Sequence, residues 1–302
     1  MKIAEHGAKQ RIALRPLSTL SLLPEHSYLN TEASLVIGEE MSFTAVRVAE
    51  DNEYFELAWA FPEEIALLTS ITVGAHPEHG KVHLFPARWP IYIVDEGQDL
   101  STEQDLQLAR ECLRSALTDG ERSRTLCSWE ELPPFLVSRQ YTFNSNVRLS
   151  VNYQTVLLRS LDLKNHLMVR GLSHLLKAAM LKCLSRSFVD TACLEIYVAL
   201  EATLQIILER LRASGKVNPS NKDASHYLLE AFGEPYRLER YYEAYYEDRI
   251  KAVHPNSRFG TAKFTPLYVD DLFMLYNDLL RNYEFLITGQ VNCYEKYDNS
   301  VL

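Results

Sequence analysis

The sequence predicts an α+β domain over residues 1–145 followed by an all-α, up-and-down helical bundle over residues 146–302. Two observations carry this. Short segments between about Ser34 and Asp95 alternate apolar and polar residues with turn residues between them, the period-2 pattern of strands. After Tyr141, long segments carry apolar residues at intervals of three and four, the pattern of amphipathic helices. The composition suits a folded chain of this length: of 302 residues, 47% are hydrophobic and 24% charged, with 12 prolines and 11 glycines. A chain of that size buries a large core without metal or disulfide staples.

In the first half, "SFTAVRVAE" and "YFELAWAF" are expected strands separated by the turn-like "EDNE", and "KVHLF" and "IYIVD" are further strands. "PEEIALLTS" is expected to insert a short helix. "STEQDLQLARECLRSALTDG" predicts an amphipathic helix, with Ser101 or Thr102 as its cap, acids in its first turn and Gly120 at its close. In the second half, "NHLMVRGLSHLLKAAMLKCL" and "SFVDTACLEIYVALEATLQIILERLRASG" are long helices. "DASHYLLEAFG" is a short helix capped by Asp223 or Ser225 and closed by Gly233. "EPYRLERYYEAYYEDRIKAV" is another helix. The last, "TPLYVDDLFMLYNDLLRNYEFLITG", has Thr265 as cap and Pro266 at its first position. The domain boundary is expected near 145, in "TFNSN". No internal repeat or low-complexity tract is present.

Charge narrows the function. The formal net charge is −9, which excludes a broad nonspecific nucleic-acid binder, since such a protein displaces phosphate counterions with surplus Lys and Arg. Any nucleic-acid contact is therefore expected to be local. The five cysteines are scattered and odd in number, as expected of reduced thiols. No segment reads as a signal peptide or as a membrane span of about 20 apolar residues, so a cytoplasmic protein without membrane contact is expected. There is no phosphate-binding G-x-x-x-x-G-K-[ST] loop, no G-x-G-x-x-G and no G-x-S-x-G elbow, and no cofactor is expected.

One stretch, "YEDRIKAVHPNSRFG", carries a candidate chemistry. Arg249 and His254 lie five residues apart, roughly 140° around a regular helix, so they would not share a face. Pro255 cannot continue the hydrogen-bond ladder and disfavours helical geometry in the residue before it, so His254 can turn away where the helix ends. A helix C-terminus favours imidazolium there. A guanidinium that grips phosphate with two hydrogen bonds, beside an imidazole that moves protons near neutral pH, suits cleavage of a phosphodiester. The plain alternative is that both residues complement the helix dipole.

The order of helices around this stretch resembles the HEPN superfamily, helical domains marked by an R-x4–6-H motif. The resemblance spans residues ~150–290 and includes a long preceding helix with glutamates in an apolar run, "EIYVALEATLQIIL", containing Glu195 and Glu201. It implies a homodimer in which two motifs face each other and cleave RNA without metal, with the ribose 2′-hydroxyl as nucleophile. Arg249 would hold the scissile phosphate and His254 would act as general acid or base. Glu201 or Glu195 would anchor Arg249. Stress or anti-phage defence, toxin activity and an antitoxin partner belong to the same implication. Ile250 stands where active members carry a polar residue, which leaves open a non-catalytic dimerisation or binding module.

Other candidates surround the motif. Arg258 and Lys263 could widen a phosphate site or sit in a solvated loop. Tyr236, Tyr241, Tyr242, Tyr245 and Tyr246 could stack on bases, but tyrosines at helical spacing are expected to pack against neighbouring helices. His76, His79 and His83 in "AHPEHGKVH" have spacings compatible with metal ligands. No cysteine or second ligand motif accompanies them, and a surface turn is expected there.

Overall fold

The computed structural model describes residues 10–17, 25–38, 42–49, 62–73, 91–94, 100–118, 150–184, 188–233, 240–253 and 269–291. Five strands and eight helices are found among them. They are β1 (Gln10–Leu17), β2 (His26–Tyr28), β3 (Ala33–Ile37), β4 (Ser42–Ala49), α1 (Pro62–Val73), β5 (Ile91–Val94) and α2 (Glu103–Thr118), followed by α3 (Val151–Ser160), α4 (His166–Leu184), α5 (Val189–Ala213), α6 (Asn221–Phe232), α7 (Tyr241–Val253) and α8 (Val269–Thr288). An antiparallel sheet thus precedes a run of helices, as the two textures of the sequence predict. The expected strands "YFELAWAF" and "KVHLF", and the expected boundary near 145, lie outside the described residues.

The sheet has the order β2-β3-β4-β1-β5 with every pairing antiparallel. Both faces are covered, and the period of two sorts the side chains between them. Ile12, Leu14, Val36, Phe43 and Ala45 join Leu106, Ala109 and Leu113 of α2 on one side. Ala13, Leu35, Ile37 and Val46 join α1 and the helical half on the other. This explains why β3 is buried along its whole length. Its one polar residue, Ser34, is satisfied by donating to Leu100 O at 2.7 Å.

The expected run of strands begins near Ser34, yet β1, before it, is an interior strand that pairs with both β4 and β5. Its pattern "RIALRPL" hides an interior strand behind an arginine and a proline. Arg15 is only 2% exposed. Its Nε donates to both Glu64 oxygens, at 2.7 and 2.9 Å, and Thr44 Oγ1 donates to Glu64 Oε1 at 2.7 Å. A partner 49 residues away makes that arginine tolerable inside, and nothing local in the sequence announces it.

Helix caps follow local chemistry. Thr102 resolves the choice at α2: its Oγ1 accepts from Asp105 N at 3.2 Å. At α6 the expected caps Asp223 and Ser225 are corrected to Ser220. Ser220 and Asp223 form a reciprocal capping box, so Asp223 sits three residues inside the helix and reaches back to the Ser220 amide at 2.7 Å. Hydrogen bonds from Lys216 and Ser220 hold the Asp223 carboxyl well below its ordinary value. Gly233 closes α6 with φ of 72°, a conformation that favours glycine. Thr265 and Pro266 lie outside the described residues.

One apolar cluster runs from the sheet through α1 into the bundle. Helix α1 is the link, packing on β3 and β4 on one side and on α4, α3 and α8 on the other. Within the bundle, α4 and α5 pack along their lengths, and Gly171 of α4 lets Tyr283 of α8 lie between them. The Tyr283 hydroxyl donates to Ala199 O at 2.8 Å. By length and composition α5 alone among the described helices could cross a membrane, but 67% of its most apolar window is buried inside the fold. It serves as the core helix of the bundle.

Tyr28, at the end of β2, is 1% exposed and its hydroxyl has no hydrogen-bond partner among the described residues. Burial pushes its phenol up to about 12. A folded-state value above the unfolded one means full stability below pH 10 and a loss as pH rises toward 12. Tyr28→Phe is therefore expected to be neutral or stabilising by about 1 kcal/mol at neutral pH, because it removes an unsatisfied polar atom. It should also flatten part of the alkaline decline, and urea titrations at pH 7 and pH 11 check both. A loss of several kcal/mol at pH 7 would show that the hydroxyl has a partner after all.

Candidate functional site

Helix α7 is fixed at its start by hydroxyls. Tyr242 Oη donates to Thr203 Oγ1 of α5 at 3.0 Å, its amide donates to Ser225 Oγ of α6 at 3.1 Å, and Ser225 Oγ donates to Glu243 at 3.0 Å. Asn282 of α8 donates to the Tyr241 hydroxyl at 3.2 Å. Tyr241 also meets Tyr242 and Tyr245 edge to face, with ring centroids 5.1 and 5.0 Å apart. These three tyrosines pack, as expected from their spacing. Tyr246 is exposed, and Tyr236 is outside the described residues.

Arg249 belongs to the C-terminal part of α7, four residues before its last residue, Val253. His254 follows it in the sequence and, with Arg258 and Lys263, lies outside the described residues. The same holds for His76, His79 and His83. Among the described residues no group of three or more His, Cys, Asp or Glu side chains could hold a metal ion.

The two glutamates of α5 have neighbours on α4 and on their own helix. Glu195 Oε2 accepts a short hydrogen bond from Nδ1 of His174 on α4, and the pair becomes ionic when the imidazole is protonated. A carboxylate only accepts, so this contact fixes the proton on Nδ1 and leaves Nε2 as the ring nitrogen that can meet a ligand. Glu201 accepts from Gln205 Nε2 at 3.2 Å. It also lines a groove of about 360 Å³ between α4 and α5, together with Arg170, Leu167 and Tyr197.

A larger cleft, about 560 Å³, shares Arg170 with that groove and opens against α1. Its polar lining includes Glu63, Lys164, His166, Arg170, His174 and Lys177, together with Ser173, and its apolar wall comprises Ile65, Leu163 and Val169. Four of the polar residues, His166, Arg170, His174 and Lys177, fall within about 80° of arc on α4 at 100° per residue. Asn165 sets the start of that helix by accepting from the amides of Leu167 and Met168 at 3.0 and 3.1 Å. Across the cleft, burial raises the Glu63 carboxyl above its ordinary value, a backbone hydrogen bond opposes this, and the Glu32 charge adds to the rise. Lys164 is mostly exposed and reaches Glu32 at 3.3 Å.

The sequence signal for this stripe is "HLMVRGLSHLLK", a basic or imidazole side chain at each helical turn. It reads as the solvated face of an amphipathic helix until α1 is placed beside it. Comparison with known protein families, curated proteins and solved structures finds no match.

Proposed function

We propose that the chain is a HEPN-like protein that cleaves RNA without a metal, working as a dimer in which two Arg249–His254 motifs form one site. The observation that carries this reading is that Arg249 stands near the end of a helix anchored by its own tyrosines to α5, α6 and α8. A guanidinium on a rigid element gives the fixed geometry that phosphate recognition needs. The ribose 2′-oxygen attacks phosphorus, the bond to the 5′-oxygen breaks, and the products are a cyclic 2′,3′-phosphate and a 5′-hydroxyl. His254 takes the proton from the 2′-hydroxyl or supplies one to the departing 5′-oxygen. Arg249 offsets the charge that gathers on the phosphate.

Ile250 supports a second reading, a non-catalytic HEPN-like module that dimerises or binds nucleic acid or a nucleotide, because it offers no polar group next to Arg249. Incubation of the purified protein with mixed RNAs in EDTA separates the two. Cleavage is expected to persist under chelation and to fall at least about a hundredfold in Arg249→Ala and in His254→Ala, with circular dichroism and mass in solution unchanged. Intact RNA after incubation with the wild-type protein would sink the ribonuclease reading and leave the binding module.

A further inference from the structure

The cleft between α1 and α4 holds two cations that no described residue pairs. His174 is engaged by Glu195 and Lys164 by Glu32. Arg170 and Lys177 have neither an ion-pair nor a hydrogen-bond partner among the described residues, although both line the cleft. They stand seven residues apart on one face of α4, about 10 Å along the axis, with His174 between them. Two long cationic side chains that line one cleft and have no described partner suit an anion that takes both. A phosphate dianion can accept from Arg170 and Lys177 together, and from His174 Nε2 as well when the imidazole is protonated.

The rest of the cleft says what the phosphate is attached to. Its volume of about 560 Å³ lies in the range of small-molecule sites and far exceeds a free phosphate. The wall of Ile65, Leu163 and Val169 offers contact to a flat apolar body. Glu63, on the α1 side, gives a hydrogen-bonding group to a donor on that body. We propose that this cleft binds a small phosphate monoester whose body carries a ring and a hydrogen-bond donor. The site is independent of the Arg249–His254 reading and calls for no bond to be made or broken.

Calorimetry on the full chain with adenosine 5′-monophosphate as probe tests it, with ribose 5-phosphate, inorganic phosphate and a short single-stranded RNA as comparison arms. The nucleotide is expected to bind, with ribose 5-phosphate weaker and inorganic phosphate at least about tenfold weaker still, because only the nucleotide fills the apolar wall. Arg170→Gln and Lys177→Gln should each weaken nucleotide binding by about tenfold or more. Their melting temperatures should match the wild type, since both side chains are exposed. Arg249→Ala should bind the nucleotide normally, which keeps this result separate from the cleavage assay. The proposal is overturned by no nucleotide binding at millimolar concentration, by equal binding of inorganic phosphate, or by full affinity in both glutamine variants. RNA binding through Arg170 and Lys177 without nucleotide binding would overturn it as well, in favour of a polynucleotide surface.

Discussion

Glu64→Gln is expected to lower stability by about 3–5 kcal/mol, the cost of leaving a buried cation without its counter-charge. Glu64 is fully buried and accepts from Arg15 Nε through both oxygens and from Thr44 Oγ1. Glutamine keeps the volume but offers one acceptor oxygen and brings an NH₂ group toward the guanidinium. The interaction ties the interior strands β1 and β4 to α1, and α1 in turn carries the sheet onto the bundle. Loss at Glu64 should therefore be felt by the whole cooperative unit rather than by one helix. Urea unfolding followed by circular dichroism reads it as a lower midpoint with an unchanged slope. The triple variant Arg15→Met, Glu64→Leu, Thr44→Val separates charge from packing. Recovery of most of the loss is expected, because well-packed apolar residues often replace a buried ion pair at little cost. If Glu64→Gln unfolds at the wild-type midpoint, the pair is solvated and the account of β1 fails.

Gly171→Ala sets two effects of opposite sign against each other. In a helix interior alanine is favoured over glycine by up to about 1 kcal/mol. Here a Cβ would overlap the Tyr283 hydroxyl and stand 2.6 Å from Tyr283 Cζ and 3.0 Å from Ala202 Cβ. Tyr283 is fully buried and its hydroxyl is held by Ala199 O at 2.8 Å, so the ring cannot swing out without breaking that bond. Overpacking costs about 1–3 kcal/mol and the lost buried hydrogen bond about 1–3 more. The clash wins, with a net loss of about 2–4 kcal/mol expected. Tyr283→Phe in the Gly171→Ala background removes the hydroxyl overlap but leaves the ring contact, so partial recovery is the expected outcome. A melting temperature at or above wild type for Gly171→Ala would mean that α4, α5 and α8 do not meet as closely as described.

Periodicity shows where a helix must bury a face, and in this chain that was enough for α2, α4, α5 and the frame of the bundle. Strand alternation was enough for β4, and the run "IYIVD" for β5. It failed at β1, because Arg15 and Pro16 break the apolar pattern and the residue that compensates Arg15 lies on α1. It misplaced the start of α6 because Ser220 sits in a polar loop, and its role depends on Asp223 reaching back to its amide. For the candidate site, the residue types around Arg249 and His254 were legible as a motif. The α4 stripe was not, since His166, Arg170, His174 and Lys177 look like an ordinary wet helix face until a second wall is supplied.

The sequence by itself determined the order of textures, the main helices and the local charge at the end of α7, all properties of neighbouring residues. Only the tertiary structure decided that β1 lies inside the sheet, why Gly171 must remain small, and that α1 closes a cleft over the cations of α4. Those three depend on pairs far apart in the chain: Arg15 with Glu64, Gly171 with Tyr283, and Glu63 with Arg170 and Lys177 across one cleft. Desolvation and close contact act between such pairs only after folding has brought them together.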